Sequence, residues 1–150
     1  MKKVQITILA LFGVGVFACA NEIPSNQIPS VVKNALMSKY PDATDIEWEM
    51  KKQLYEVEFE IGEADYDAWI DSTGTILKVV KDISLTEIPV AIQKSIALEF
   101  KQQTIDDAEE ILIKENKYYR IELEGALGDH KVVYNSDGKL ENSAVLFKYN

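Results

Sequence analysis

The chain has 150 residues, 47% hydrophobic and 27% charged, which excludes wholesale disorder and leaves room for little beyond one small folded protein. Sixteen Lys and Arg stand against 25 Asp and Glu, a net charge of −9, and no basic run occurs; nucleic acid and anionic membrane surfaces are therefore disfavoured as partners. One Cys excludes an internal disulfide. One His and no glycine-rich loop leave little material for a metal centre, a catalytic triad or a phosphate cradle, so no cofactor is expected.

Met1-Lys2-Lys3 followed by the uncharged, mostly apolar stretch 6–18 reads as a secretory signal peptide over residues 1–20, too short to span a bilayer comfortably. Two processing readings stay open. Ala18-Cys19-Ala20 fits cleavage before Asn21, whereas Val16-Phe17-Ala18-Cys19 resembles a lipoprotein box that would place a lipid anchor on Cys19. Removing residues 1–20 takes two lysines and no acid, leaving 14 bases against 25 acids and a net charge of −11. No other stretch reaches spanning length, and the exported form is expected to be periplasmic or secreted, with residues 21–27 as a short tether.

Two matching units follow, residues 28–85 and 86–150. Ile28-Pro29 recurs as Ile88-Pro89, and behind each come apolar residues at i, i+4, i+8: Val32, Leu36 and Tyr40, then Ile92, Ile96 and Phe100, each set one face of a helix. Pro41 stops the first. Further on the offset widens from 60 to 64, with identities at Tyr55/Tyr119, Glu58/Glu122, Glu60/Glu124, Asp65/Asp129, Ser72/Ser136 and Gly74/Gly138. About four residues are accordingly expected as an insertion between the second helix and its sheet.

Alternation then marks the strands. Ile46, Trp48 and Met50, and next Tyr55, Val57, Phe59 and Ile61, interleave with acids at the period of a half-buried antiparallel strand. Gly62-Glu63-Ala64 reads as a hairpin loop, Tyr66, Ala68 and Ile70 as a third strand, Asp71-Ser72-Thr73-Gly74 as a turn and 76–80 as a fourth. The second unit repeats this with Ile111 and Ile113, then Tyr119, Ile121 and Leu123, then His130, Val132 and Tyr134, the turn Asn135-Ser136-Asp137-Gly138, and a last strand over 140–149. The expected fold class is α+β: two tandem repeats of a helix plus a four-stranded antiparallel meander, forming one curved sheet with the helices on one face.

Over residues 28–147 these features resemble the PepSY-like family, whose relatives include the beta-lactamase inhibitory proteins. The resemblance rests on Ile28-Pro29 and Ile88-Pro89, Tyr40-Pro41, Tyr55-Glu56-Val57-Glu58-Phe59 and the two turns at Asp71 and Asn135. It implies an exported, non-enzymatic domain whose open sheet face meets a protein partner. The inhibitory proteins' disulfides have no counterpart here, and no stretch matches their contact loops; inhibition of a beta-lactamase is not carried over.

If Tyr55, Val57, Phe59, Tyr66, Ala68 and Ile70 face the helix, then Glu56, Glu58, Glu60, Asp65, Asp67 and Trp69 face the other way. An exposed Trp69 among acids suits a partner offering cations and an apolar pocket, with Tyr118 and Arg120 extending the patch from the second unit. Against this stands a merely solvated sheet face. The acids Glu60, Glu63, Asp65 and Asp67 lack the spacing of a calcium loop, and His130, on the inner face, reads as packed. Glu58 with Asp67 is the nearest thing to an acid–base pair, and nothing singles it out. The function expected is a non-catalytic binding module acting by occupancy; the alternatives are an acidic envelope protein binding cations or small basic ligands, and a subunit that self-associates through its sheet edges.

Overall fold

The computed structural model describes residues 22–126 and 128–149, so the stretch expected to be a signal peptide, with Cys19, lies outside it. Two helices, α1 (Ser30–Lys39) and α2 (Val90–Glu99), each begin directly after a proline, Pro29 or Pro89, whose missing N–H is no loss at a helix start. Each ends on an aromatic residue whose backbone has left the helical region, Tyr40 at φ −129°, ψ 72° and Phe100 at φ −122°, ψ 52°. The N–H of Tyr40 reaches the Leu36 carbonyl at 2.8 Å, and that of Phe100 reaches Ile96 at the same distance.

Four strands follow each helix: β1 (Thr44–Lys51), β2 (Leu54–Ile61), β3 (Ala64–Ile70) and β4 (Ile76–Asp82), then β5 (Gln103–Ile113), β6 (Asn116–Gly125), β7 (His130–Asn135) and β8 (Leu140–Glu141). They form one open antiparallel sheet whose spatial order is the chain order, β1 to β8. The α+β class and the antiparallel meander are as expected. The β4–β5 pairing, Val79 opposite Leu112 and Val80 opposite Ile111, joins the two units into a single sheet.

Both helices cover the same face. Val32 and Leu36 pack on Trp48, Val57, Phe59, Ala68 and Ile70, while Ile92 and Ile96 pack on Ala108, Tyr119, Ile121, Leu123 and Tyr134. Fully buried aliphatic side chains of this size contribute about 1.5–3 kcal/mol each, so four of them fasten two ten-residue helices that would not be stable alone. The glycine turns complete the attachment. Gly74 and Gly138 hold φ of +85° and +78°, and a Cβ on either would lie 2.9 Å from the Val31 carbonyl oxygen or 2.7 Å from that of Ala91. Each turn therefore sits directly under the first turn of its helix, and Ser95 Oγ donates to the Gly138 carbonyl at 2.6 Å.

Four expectations are corrected here. The extra residues of the second unit do not separate helix from sheet. Trp48 pairs with Val57 and Ala108 with Ile121, so the offset is still 60 on β5 and becomes 64 only on β6. The insertion lengthens the β5–β6 hairpin by two residues on each strand, which carries Leu112 onto the first core and Ile113 onto the opposite face. Ile111, expected on the inner face with the apolar repeat, also faces away from the helices, because a bulge between Ile105 and Asp107 resets the parity of β5. His130 is exposed at the start of β7 instead of packed.

The fourth correction concerns the chain ends. Residues 140–149 do not make a long strand: β8 stops at Glu141, and Ser143–Tyr149 is a 3₁₀ helix. Glu22–Gln27, the described part of the expected tether, is docked on the outer edge of β1, where Glu22 bridges to Glu49 and the Ile23 N–H reaches the Trp48 carbonyl at 2.7 Å. The outer edge of β1 is thus occupied at Trp48 and Glu49, and the opposite edge of the sheet, β8, is only two residues long.

Candidate functional site

Cross-strand partners point to the same face, so the register assembles the surface opposite the helices row by row. One row runs Glu49, Glu56, Trp69, Lys78, Ile113; the next runs Glu47, Glu58, Asp67, Val80, Ile111, Tyr118. Glu60 and Asp65 pair beside them, and Glu109 and Arg120 continue the face into the second unit. All eight residues expected from sequence, Glu56, Glu58, Glu60, Asp65, Asp67, Trp69, Tyr118 and Arg120, therefore share one face. Glu58, Glu60 and Asp65 are exposed on it.

Trp69 and Glu56 are not. Trp69 is 9% exposed and Glu56 7%, because the face carries an apolar island that parity alone does not reveal. Trp69, Val80, Ile111, Ile113 and Val133 form one cluster with Leu146 of the C-terminal 3₁₀ helix, and Leu54, Tyr118 and Val145 pack around it. Leu146 is 4% exposed. Asn142 aims the segment across the sheet: its Oδ1 accepts the Ala144 N–H at 2.9 Å and its carbonyl accepts that of Val145 at 3.0 Å. Apolar residues at open-face positions in neighbouring strands were the signal in the sequence that something covers them.

Lys78, missed by the sequence reading, lies at the edge of this island. It is 5% exposed, and its Nζ sits 3.6 Å from the centroid of the Trp69 ring, a close cation–π contact. Burial, helped by the Arg120 charge, draws its pKa down to about 8 against the pull of Glu56, Asp67 and Glu109. Glu56 is tied at the other side by Lys51, whose Nζ lies 2.9 Å from Oε1 and also reaches Glu49 at 3.3 Å.

Beside the island lies a depression of about 400 Å³ lined by Asp45, Glu47, Glu58, Glu60, Asp65, Asp67 and Asp82 with Phe59 and Tyr66. Seven carboxylates share this hollow, and two of them respond to it. Asp67 is pushed up to about 6, first by burial and then by Glu58, Glu56, Asp82 and Glu109. Asp82 is raised by burial and by Glu109, Asp107 and Asp65. Carboxylate oxygens of Glu56, Glu58 and Asp67 come within 4.8 Å of one another. In the second unit the corresponding charges are matched, Glu109 by Arg120 and Glu122 by Lys131 at 2.9 Å.

The fold has solved counterparts. A DUF2874 family protein from Bacteroides uniformis superposes with a TM-score of 0.70 at 18% identity, covering 76% of this chain and 86% of that one. A structure described as "putative periplasmic proteins" from Bacteroides eggerthii gives 0.69 at 21% identity, with the same coverage. A BLIP-like protein from Bacteroides fragilis gives 0.69 at 18% identity, over 80% of this chain and 85% of that one. No curated protein matches the sequence. Among the described residues no helix is long and apolar enough to cross a membrane. The family profile "Putative beta-lactamase-inhibitor-like, PepSY-like" matches residues 16–78 and again 53–142; on that double match the chain belongs to the PepSY-like family.

Proposed function

We propose that this protein is an exported, non-catalytic binding module, built from a duplicated helix-and-meander unit, that acts on another envelope or secreted protein by occupancy, as an inhibitor or sensor. The reading is carried by the depression at Asp67. A surface that holds carboxylates above their ordinary range gains when cations arrive, and a protein partner presenting Lys or Arg supplies them while steering toward the acidic side. The family match and the BLIP-like fold support the same class of action. Glu58, Glu60, Asp65 and Asp67 would meet the cations; Tyr118 and Arg120 would border the contact.

The test is affinity capture from the envelope fraction with the wild-type chain and with a Glu58→Lys, Asp65→Lys variant, both exposed positions whose exchange leaves the core intact. A protein held by the first and released by the second supports the module; identical captures sink it. The close approach of Glu56, Glu58 and Asp67 favours a second reading, in which the face binds cations or small basic ligands. Calorimetric titration with calcium and with a polyamine separates the two: tight, saturable heat with either would support that second reading.

A further inference from the structure

The apolar island is already occupied, and by this chain itself. Five apolar side chains from β3, β4, β5 and β7 interrupt an otherwise charged face, and the element over them is a seven-residue 3₁₀ helix. That is longer than 3₁₀ runs usually persist, because their hydrogen bonds are poorly aligned. It packs on the sheet through Leu146, which is buried, and Val145, partly so, while Ser143 and Ala144 are exposed. The hydrogen bonds of Ala144 and Val145 run to Asn142, within the turn that launches the segment.

The island also adjoins the acidic hollow. Val80 of the island is the cross-strand partner of Asp67, and Trp69 is two residues from it on the same strand and face. An extended segment carrying a large apolar side chain next to a Lys or Arg could fill the island with one and the hollow with the other. It could do so only where Leu146 now lies.

We propose that Ser143–Tyr149 is a built-in competitor for the open face, a strap that a partner segment with an apolar anchor flanked by cations must displace. The inference rests on the reading that this face is the binding surface. A strap closed for all but a hundredth of the time lowers apparent affinity about 100-fold without changing any contact to the partner, which sets a threshold on partner concentration or chemistry.

The experiment uses the full chain, wild type and Leu146→Asp, with a synthetic peptide of residues 141–150 as the probe and the same peptide carrying the Leu146→Asp change as its control. The expected result is that Leu146→Asp keeps its circular dichroism spectrum while about half of its tryptophan emission, that of Trp69 and not Trp48, becomes quenchable by acrylamide. The peptide then restores the protection, binding the variant at least tenfold more tightly than the wild type, and the control peptide does not. Equal peptide affinity for both chains, or unchanged quenching, would overturn the proposal. Should Leu146→Asp fail to fold, hydrogen exchange in the unaltered chain decides. Val145 and Leu146 amides exchanging at least tenfold faster than those of Ile121 and Leu123 support a strap that opens alone; equal rates make it part of the global core and overturn it. A strap that opens in a protein whose envelope captures are indifferent to Glu58→Lys, Asp65→Lys leaves the strap standing and removes the binding reading.

Discussion

The two halves share a frame and differ in what fills it. Helices lie at an offset of 60, and each glycine turn sits beneath its helix, Gly74 under Val31 and Gly138 under Ala91. Inside, the first half gathers three rings: Phe59 stacks on Tyr66 at 5.2 Å, and Tyr40 lies tilted against both, at 5.1 Å from Phe59 and 5.9 Å from Tyr66. The matching positions in the second are Phe100, Leu123 and the exposed His130. Outside, the first half crowds acids around Asp67, while the second sets Arg120 against Glu109 and Lys131 against Glu122 and keeps a smaller acid group at Asp106, Glu124 and Asp129. Residues that fix the backbone stay; those that only fill or face solvent diverge. The larger of the two acid groups is the one proposed to bind.

The largest test of that contrast is in the cores. Phe59→Ala removes the ring shared by Tyr40 and Tyr66 and should cost about 4 kcal/mol, more than Leu123→Ala at the matching site. Denaturant melts of the two variants measure this, and equal losses would mean that the rings act as simple filler. Next come the turns. Gly138→Ala and Gly74→Ala both place a Cβ against a helix carbonyl at positive φ and should each cost about 2–3 kcal/mol, Gly138 more because its approach is closer. A loss confined to one would show that the halves are not fastened alike.

The surface contrast has smaller consequences. Asp67 binds its proton more tightly folded than unfolded, its pKa rising from 3.8 to about 6, so the stability linked to it is present below pH 4 and lost as pH climbs through 6. Asp67→Asn should therefore stabilise the protein at pH 7 by about 1–2 kcal/mol and flatten the decline between pH 4 and 6 in melts across that range. If the decline persisted unchanged, another group would be its source. Arg120→Ala should cost about 1 kcal/mol through the loss of the Glu109 pair. It should also let the Lys78 pKa rise from about 8 toward its ordinary value, since Arg120 helps hold it down. A titration followed by NMR on the Lys78 Cε protons reads that shift directly.

Most of the frame was legible because its causes are local. Alternation in Tyr55 to Ile61 fixes a strand and its inner face, and Asp71 and Asn135 announce turns whose side-chain oxygens accept the N–H groups of Thr73 and Thr75, and of Asp137 and Lys139. What alternation cannot say is what lies above a face. Parity puts Trp69 on the open face, yet its burial comes from Lys78 over its ring and from a cluster that draws in Leu146, distant in sequence. The insertion was misplaced for a related reason. Identities place the offset change somewhere between helix and second strand, and only the pairing of Trp48 with Val57 and of Ala108 with Ile121 locates it at a hairpin tip. Lys78 is illegible for the same reason: a single lysine in an apolar strand reads as a surface residue until the neighbours that bury it are known.

The strand order has a consequence for how the chain becomes a protein. Every strand pairs with the one before it, and six of the seven joins are short turns, so their closure costs little entropy. The exception is β4 to β5, whose ends must find each other across residues 83–102, a stretch that includes α2. That seam is the slow closure in an otherwise locally wired chain. A polypeptide threaded through a membrane N-terminus first would complete its first helix and four strands before the seam could form. The packing of Leu146 on the apolar island would follow the seam, since that residue lies after β5, β6 and β7 in the chain.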